Sequence, residues 1–358
     1  MTTEGNPPSP LRVVVVGAGA VGSFLGGTLA ATGVDVTLLG RRPYGGADAA
    51  TLKLHEPTGN RTVTLRRASD ASDVAAADLA IVAVKAFDLE AALATTRQWP
   101  GVAVLTTQNG VGAEAVADAW IPYPAPLLAA SLTTAVEPAD DGVHRLRTGG
   151  VGVAVVRDDA DGAGARLAAR LVGAWTAGGL PAVLCRDADA MKWSKLLANL
   201  VGNATSAILD MEPAAIYADG RGYRIERAQL LEAAAVMRAL GLKPMGLPGA
   251  DVSMLLRGIK LPAALGRPLV ARGIGGARGG KSPSLRLHVR GGGTGPTEVF
   301  WLNGAVAVAG AQAGVPTPVN EALAAIVDEV GSDPRRAAFF AGQPARLAEA
   351  IAARSAGS

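Results

Sequence analysis

One short segment constrains the possible fold more than any other: a β-branched run that ends directly in a glycine-rich turn. Leu11-Arg12-Val13-Val14-Val15-Val16 has the unbroken apolar character of a parallel strand buried on both faces. Gly17-Ala18-Gly19-Ala20-Val21-Gly22 follows with no spacer. A helix of small residues then runs to about Gly33, and Val34-Asp35-Val36-Thr37-Leu38-Leu39 forms a second strand. In such a strand–turn–helix–strand unit each glycine has a distinct task. Gly17 permits the tight turn, Gly19 lets backbone approach a pyrophosphate, and Gly22 lets the helix lie close to the sheet. The segment Gly17, Gly19, Ala20, Val21 and Gly22 is therefore expected to bind a dinucleotide. A glycine turn that holds no ligand is the alternative.

The residue ending the second strand bears on which nicotinamide cofactor is used. An acidic side chain there would hold the ribose hydroxyls of NAD. Here Gly40 is followed by Arg41 and Arg42, and a guanidinium can grip a 2′-phosphate that a carboxylate would repel. NADPH is the expected cofactor, with Arg41 the contact in preference to Arg42; an arginine simply solvated on the loop is the other reading. Thr51 to Leu65 reads as a hairpin turning at Pro57-Thr58-Gly59-Asn60. Two further buried strands, Asp78 to Val84 and Val102 to Thr107, bring Lys85 and Asn109 to their carboxyl ends, the rim where open parallel sheets bind ligands. Leu128 to Val136 and Val151 to Val156 extend the sheet, with Thr148-Gly149-Gly150 as a turn.

At 358 residues the chain exceeds the usual single domain. The pattern divides it into a dinucleotide-binding Rossmann domain over 11–187, an all-helical substrate and catalytic domain over 188–340, and a flexible tail over 341–358 that holds a loosely attached helix and frays at its end. A net charge of +3, spread without a basic block, gives no support for nucleic-acid binding. Cys185 is the one cysteine, which excludes an intrachain disulfide and a multi-cysteine zinc site, and no metal is expected. The polar start lacks a signal-peptide layout and no apolar run is long enough to span a bilayer. A cytoplasmic protein with a small-molecule substrate and no membrane partner follows, with a homodimer left open.

From about Asp189 the spacing becomes helical. Trp193-Ser194-Lys195-Leu196-Leu197-Ala198-Asn199-Leu200-Val201-Gly202-Asn203 places Lys195, Asn199 and Asn203 at i, i+4 and i+8, one stripe on a helix that is otherwise apolar all round. Buried polar groups need partners, at about 1–3 kcal/mol for each left unpaired. The stripe thus faces either a satisfied polar seam between helices or the wall of a ligand pocket. A helix over Tyr217 to Leu240 follows, with Arg224, Glu226, Arg227 and Glu232 as its solvated face. Residues 243 to 295 hold short helices at most. Another helix opens near Pro296 and runs to Ala313, and a last one follows the Gly314–Asn320 break to Val330.

These motifs in this order resemble the ketopantoate reductases (2-dehydropantoate 2-reductases), relatives of the 6-phosphogluconate dehydrogenase-like enzymes. The resemblance spans about Leu11 to Val330. It rests on the glycine fingerprint, Val84-Lys85, Gln108-Asn109-Gly110, Trp193-Ser194-Lys195-Leu196 with Asn199 and Asn203, Pro283-Ser284-Leu285, Pro296-Thr297-Glu298 with Asn303-Gly304, and Gly314-Val315-Pro316-Thr317-Pro318. It implies NADPH-dependent reduction of a 2-oxo acid to a 2-hydroxy acid, with 2-dehydropantoate the default substrate in pantothenate biosynthesis. It implies that Lys195 is the general acid, that Asn199, Asn203 and Ser284 hold the substrate, and that Glu298 binds its far hydroxyl and supports the lysine. Asn109 is implied to contact cofactor and substrate, and Arg41 and Lys85 the adenosine phosphate end.

The chemistry agrees from a separate direction. Hydride delivery leaves charge on the carbonyl oxygen, which an ammonium can stabilise and protonate. No tyrosine is followed four residues later by lysine, and His55, His144 and His288 lie in no catalytic setting. Lys192 competes with Lys195, but the asparagine spacing favours Lys195. Two stretches depart from the family: the segment between Ser284 and Glu298, where a glycine-rich insertion and Arg286-Leu287 stand instead of a Gln-Asp pair, and the arginine- and glycine-rich 243–281. A related reductase of another 2-oxo acid and a non-catalytic NADPH-binding regulator are the alternatives.

Overall fold

The structure is a computed structural model that describes residues 10–40, 48–268, 270, 282–293 and 295–356. The chain divides into two units, Met1–Gln108 with Glu114–Arg186, and Asn109–Ala113 with Asp187–Ser358.

The first unit is built on strands β1 (Arg12–Val16), β2 (Asp35–Leu39), β3 (Asp48–Glu56), β4 (Gly59–Ala68), β5 (Leu79–Val82), β6 (Ala103–Thr106), β7 (Leu127–Leu132), β8 (Val136–Ala139), β9 (Gly142–Arg145), β10 (Val151–Arg157) and β11 (Ala182–Leu184). They form one sheet in the order β11-β10-β7-β6-β5-β1-β2-β4-β3-β9-β8. β1 lies between β2 and β5 and parallel to both, with Val13 opposite Val36 and Leu79. Burial on both faces, with Val13 to Val16 all inside, explains its unalternating sequence. Helices α1 (Ala20–Ala30), α2 (Leu89–Thr96), α3 (Ala113–Trp120) and α4 (Ala163–Ala177) follow β1, β5, β6 and β10 in the chain. Phe24, Leu25 and Leu29 of α1 join Val13, Val15, Leu38, Ile81 and Leu105 in one buried cluster, each such side chain contributing about 1.5–3 kcal/mol. Trp175 of α4 is buried there too and donates its indole N–H to the Leu25 carbonyl at 3.1 Å.

The hairpin expected at Thr51–Leu65 is β3–β4, with Glu56 opposite Gly59. The run Leu128–Val136 is split between β7 and β8, and β7 pairs antiparallel with β10. Strands β8, β9 and β11 were not marked by the sequence pattern; two have four residues and one has three, too short for a period of two to show.

The second unit is helical: α5 (Ala188–Leu200), α6 (Ala204–Leu209), α7 (Pro213–Ala218), α8 (Gly220–Ala239) and α9 (Val252–Lys260), then helices Ser284–Arg290, Asn303–Ala313, Pro318–Ser332, Pro334–Phe340 and Pro344–Ser355. Their core gathers Leu196, Leu197, Leu200, Tyr217, Leu230, Val306, Leu323 and Ile326. The helix expected within the tail after residue 341 is Pro344–Ser355, and it is anchored where loose attachment was expected, because Leu347 and Ile351 are buried in that same core. The helix expected over Tyr217–Leu240 is broken at Asp219, whose carboxylate accepts the Arg221 and Gly222 N–H groups at 2.8 Å and starts α8 afresh.

Two members of the expected solvated face of α8 point inward. Glu226 is fully buried and accepts from Gly202 N–H (2.8 Å), the Thr205 hydroxyl (2.5 Å) and the Tyr217 hydroxyl (2.7 Å). Glu232 is half-buried and accepts from the Val319 and Asn320 N–H groups, each at 3.0 Å, capping helix Pro318–Ser332. Burial pushes its carboxyl above the usual range.

Candidate functional site

In the first unit the turn after β1 is shaped by steric exclusion. Gly17 has φ +108°, and a Cβ there would lie 2.8 Å from the Ala83 carbonyl. A Cβ on Gly22 would lie 2.1 Å from the Gly17 carbonyl oxygen, so α1 starts flush against the turn. Gly19 differs: no atom lies within 4 Å of where its Cβ would stand. It is exposed and forms the N-cap of α1, whose first turn has neither a side-chain cap nor an acidic residue. The N–H groups of a helix start, left open to solvent and free of negative charge, suit a pyrophosphate. Ala20 and Val21 form the first turn of α1 and are half-buried. The residues present thus fit the diphosphate of a dinucleotide.

Neighbouring strand ends are braced toward this turn. Gln108 is buried, and its amide nitrogen donates to the Val82 and Val84 carbonyls, both at 3.0 Å. That fixes the backbone of Ala83–Val84 against which Gly17 packs. Sequence reasoning used Gln108 only as part of a motif and missed this brace. Lys85 is exposed and leads into the short 3-10 turn Ala86–Asp88, three residues beyond the end of β5. Gly40 ends β2, and a Cβ there would stand 2.8 Å from the Ala18 Cβ. An acidic side chain at this position is therefore sterically opposed as well as absent. Arg41 and Arg42 lie outside the described residues.

In the second unit, α5 opens at Asp187, whose carboxylate accepts the Ala190 N–H at 2.8 Å, and Ser194 is held from the loop side by the Met245 N–H at 2.9 Å. Lys195 and Asn199 are half-buried on this helix, whereas Lys192 is buried. The Asn199 amide donates to Asn109 Oδ1 at 3.2 Å, joining α5 to the Asn109–Ala113 segment of the same unit. Among these residues the pairing of Asn109 with Asn199 is the one the motifs could not announce, being 90 positions apart.

Asn203 does not continue the stripe. α5 ends at Leu200, Val201 swings to ψ 110°, and the Gly202 N–H turns to Glu226. Asn203 therefore starts α6, is buried, and accepts the Leu285 N–H at 3.3 Å. The expected stripe of three is a helical pair, Lys195 and Asn199, followed by an asparagine that caps helix Ser284–Arg290. Ser284 is exposed at the first position of that helix. Arg286, the residue that departs from the family pattern, is committed to the fold: it donates to Asp210 Oδ1 at 3.0 Å and pairs with Glu212. Glu298 is half-buried and opens the 3-10 turn Glu298–Trp301. The last residue of that turn offers its carbonyl to the Val111 N–H at 3.4 Å.

Among the described residues no group of three or more His, Cys, Asp or Glu side chains is placed to hold a metal ion, and no helix is long and apolar enough to cross a membrane.

Comparison with known proteins gives consistent results across the chain. A family model described as ketopantoate reductase PanE/ApbA matches residues 13–155, and its C-terminal counterpart matches residues 187–331. The 2-dehydropantoate 2-reductase of Halobacterium salinarum is 31% identical over 322 residues, covering 88% of this chain and 98% of that protein. Among solved structures, a PanE/ApbA family ketopantoate reductase from Ralstonia eutropha JMP134 superposes with TM-score 0.71 at 25% identity, covering 90% of this chain and 99% of that one. A D-mandelate dehydrogenase solved with NADH and anilino(oxo)acetate shares the fold, with TM-score 0.69 at 20% identity over 90% of this chain and 98% of that one.

Proposed function

The chain belongs to the ketopantoate reductase family, and from that premise we propose that it reduces a 2-oxo acid to the 2-hydroxy acid with NADPH, 2-dehydropantoate being the leading substrate. The observation that carries the reading is the hydrogen bond between Asn199 and Asn109. It sets the helix bearing Lys195 beside the Asn109–Ala113 segment of the same unit.

When bound, NADPH supplies the hydride. Gly17, Gly19, Ala20, Val21 and Gly22 would hold its pyrophosphate, and Lys85 and Arg41 its adenosine phosphate end. Gly40 supports NADPH over NADH, since no carboxylate stands at the end of β2 to favour a free 2′-hydroxyl. As the carbonyl carbon becomes tetrahedral, its oxygen gains negative charge, and the Lys195 ammonium donates a proton to it. Asn199 and Asn109 orient the acceptor, Asn203 and Ser284 hold the substrate with them, and Glu298 takes the far hydroxyl and steadies the ammonium. A panel of 2-oxo acids followed by NADPH and NADH absorbance tests this. Turnover of 2-dehydropantoate with NADPH preferred is expected; no turnover of any 2-oxo acid would leave a cofactor-binding regulator as the better reading.

A second substrate is favoured by one observation. The stretch after the serine carries Arg286-Leu287 instead of a Gln-Asp pair, and Arg286 is engaged by Asp210 and Glu212. The polar groups that pair would offer to a substrate are missing here, which supports a 2-oxo acid with a less hydroxylated tail. Faster reduction of such an acid than of 2-dehydropantoate in the same panel would select this reading.

A further inference from the structure

Gly110 follows Asn109 with φ +85°, and a Cβ built on it would stand 2.0 Å from the Trp301 carbonyl oxygen and 3.0 Å from the Trp301 Cβ. The next residue, Val111, donates its N–H to that same carbonyl at 3.4 Å. One carbonyl thus fits against a glycine that can hold no side chain and also receives the following amide. Trp301 in turn ends the 3-10 turn that Glu298 begins. The turn is fixed on its other side by Asn303, which is fully buried and donates its amide to Gln229 Oε1 and Asn320 Oδ1, both at 2.9 Å. Gln229 itself donates to the Leu200 carbonyl at the end of α5, at 3.3 Å. A continuous set of contacts therefore runs from the helix of Lys195 and Asn199, through Gln229 and Asn303, to the Glu298 turn, and from Trp301 to the Asn109 loop.

We propose that Gly110 and the Trp301 carbonyl form a clasp that positions Asn109 against Asn199, so that Gly110 is a positioning residue for the reduction. This deepens the reading above and rests on it for the chemistry. The constraint on the loop is steric. A left-handed residue at 110 brings the loop close enough for Asn109 Oδ1 to reach the Asn199 amide, and any Cβ there must push the loop off Trp301. Because the same turn carries Glu298, the clasp also fixes the spacing between the Asn109 loop and the glutamate.

Gly112 supplies an internal control. It too has a positive φ, +102°, but no atom lies within 4 Å of its Cβ position. Gly112→Ala therefore imposes backbone strain alone, whereas Gly110→Ala imposes strain and displaces the loop. The full-length variants are compared for melting temperature, cofactor Kd, kcat and KM, and their crystal structures are determined. Expected are falls in Tm for both, the deeper in Gly110→Ala because its Cβ also meets the Trp301 carbonyl, and a kcat loss of at least about a hundredfold confined to Gly110→Ala. In the Asn109→Ala background, Gly110→Ala should add less than about threefold, since the glycine acts through that asparagine. Equal kcat losses in the two glycine variants, or losses that add fully to Asn109→Ala, overturn the clasp. A parent protein that reduces no 2-oxo acid overturns the functional reading alone. The clasp is then decided by the crystal structures, where an Asn109–Asn199 hydrogen bond intact in Gly110→Ala overturns it and one lost only in that variant upholds it.

Discussion

The Asn199 amide and the Asn109 carbonyl oxygen meet at 3.2 Å, linking α5 to a loop 90 residues earlier in the chain. Asn199→Asp keeps the shape but removes the donor and sets a carboxylate against an oxygen acceptor. It also adds negative charge where an anionic 2-oxo acid is proposed to bind. KM for the acid should rise by about tenfold or more with kcat reduced, while Tm changes by only a few degrees. Steady-state kinetics with a thermal melt check this.

Lys195 and Lys192 separate by exposure. Lys195→Ala should lower kcat by about 10²–10⁴-fold, the usual range for a lost general acid, with NADPH Kd preserved. Lys192 is buried, and Lys192→Met should alter Tm more than turnover. The reverse pattern would assign the proton to Lys192.

Within the fingerprint, two glycines should fail in different ways. Gly19 has an ordinary backbone, φ −77°, and open space at its Cβ position. Gly19→Ala should therefore leave Tm unchanged but raise the cofactor Kd, because the methyl takes the place where a pyrophosphate would approach. Gly22→Ala should lower Tm instead, since its Cβ falls 2.1 Å from the Gly17 carbonyl oxygen. Isothermal titration and calorimetry on the two variants separate binding from folding.

Glu226→Gln tests the break after α5. The carboxylate accepts three donors, and an amide nitrogen in place of one oxygen no longer accepts, so the Thr205 hydroxyl must reverse to accept or lose its partner. A loss of about 1–3 kcal/mol is expected for the buried mismatch, read from denaturant unfolding.

At the sheet edge, Asp141 accepts from Lys53 and His55 at 2.7 Å each. Hydrogen bonds from Lys53 and then from His55 lower its pKa to about 2. A carboxyl depressed in the fold contributes stability that is present above its unfolded pKa of about 3.9 and disappears as pH falls through about 2. Asp141→Asn should be less stable than the parent at pH 7, and the difference should narrow between pH 4 and pH 2. A difference independent of pH would mean that the ion pair does not contribute. Because Asp141 is exposed, the effect should be small and should weaken with salt.

The nucleotide-binding half was legible because its signals are local. The apolar run, the three glycines and the next strand lie within 29 residues of chain, and the physics of each is steric. The helical half was legible in outline and misread in several places. Asn203 was extrapolated along α5, but the helix ends at Leu200 because a carboxylate 24 residues away takes the Gly202 N–H. Glu226 and Glu232 were assigned to solvent because residue type predicts exposure, and only their distant donors reveal that they are buried and satisfied. The C-terminal segment was read as a loosely held helix and tail because it is rich in alanine, glycine and serine, yet Leu347 and Ile351 anchor its helix in the core. In the candidate site, Lys195, Asn199 and Asn109 could be chosen from sequence, whereas the bracing roles of Gln108 and Trp301 rest on main-chain contacts that no side-chain pattern records.

The chain enters the helical unit twice, first for Asn109–Ala113 and again from Asp187 onward. That unit is therefore not a cassette. A fragment cut at Asp187 would keep Lys195 and Glu298 but leave the Asn199 amide without its acceptor and the Trp301 carbonyl without the Val111 N–H. Exchanging C-terminal halves between family members would transplant an incomplete unit unless the five-residue loop travels with it. Selection on the two halves is thus tied together at a place where a simple domain boundary would suggest they could evolve apart.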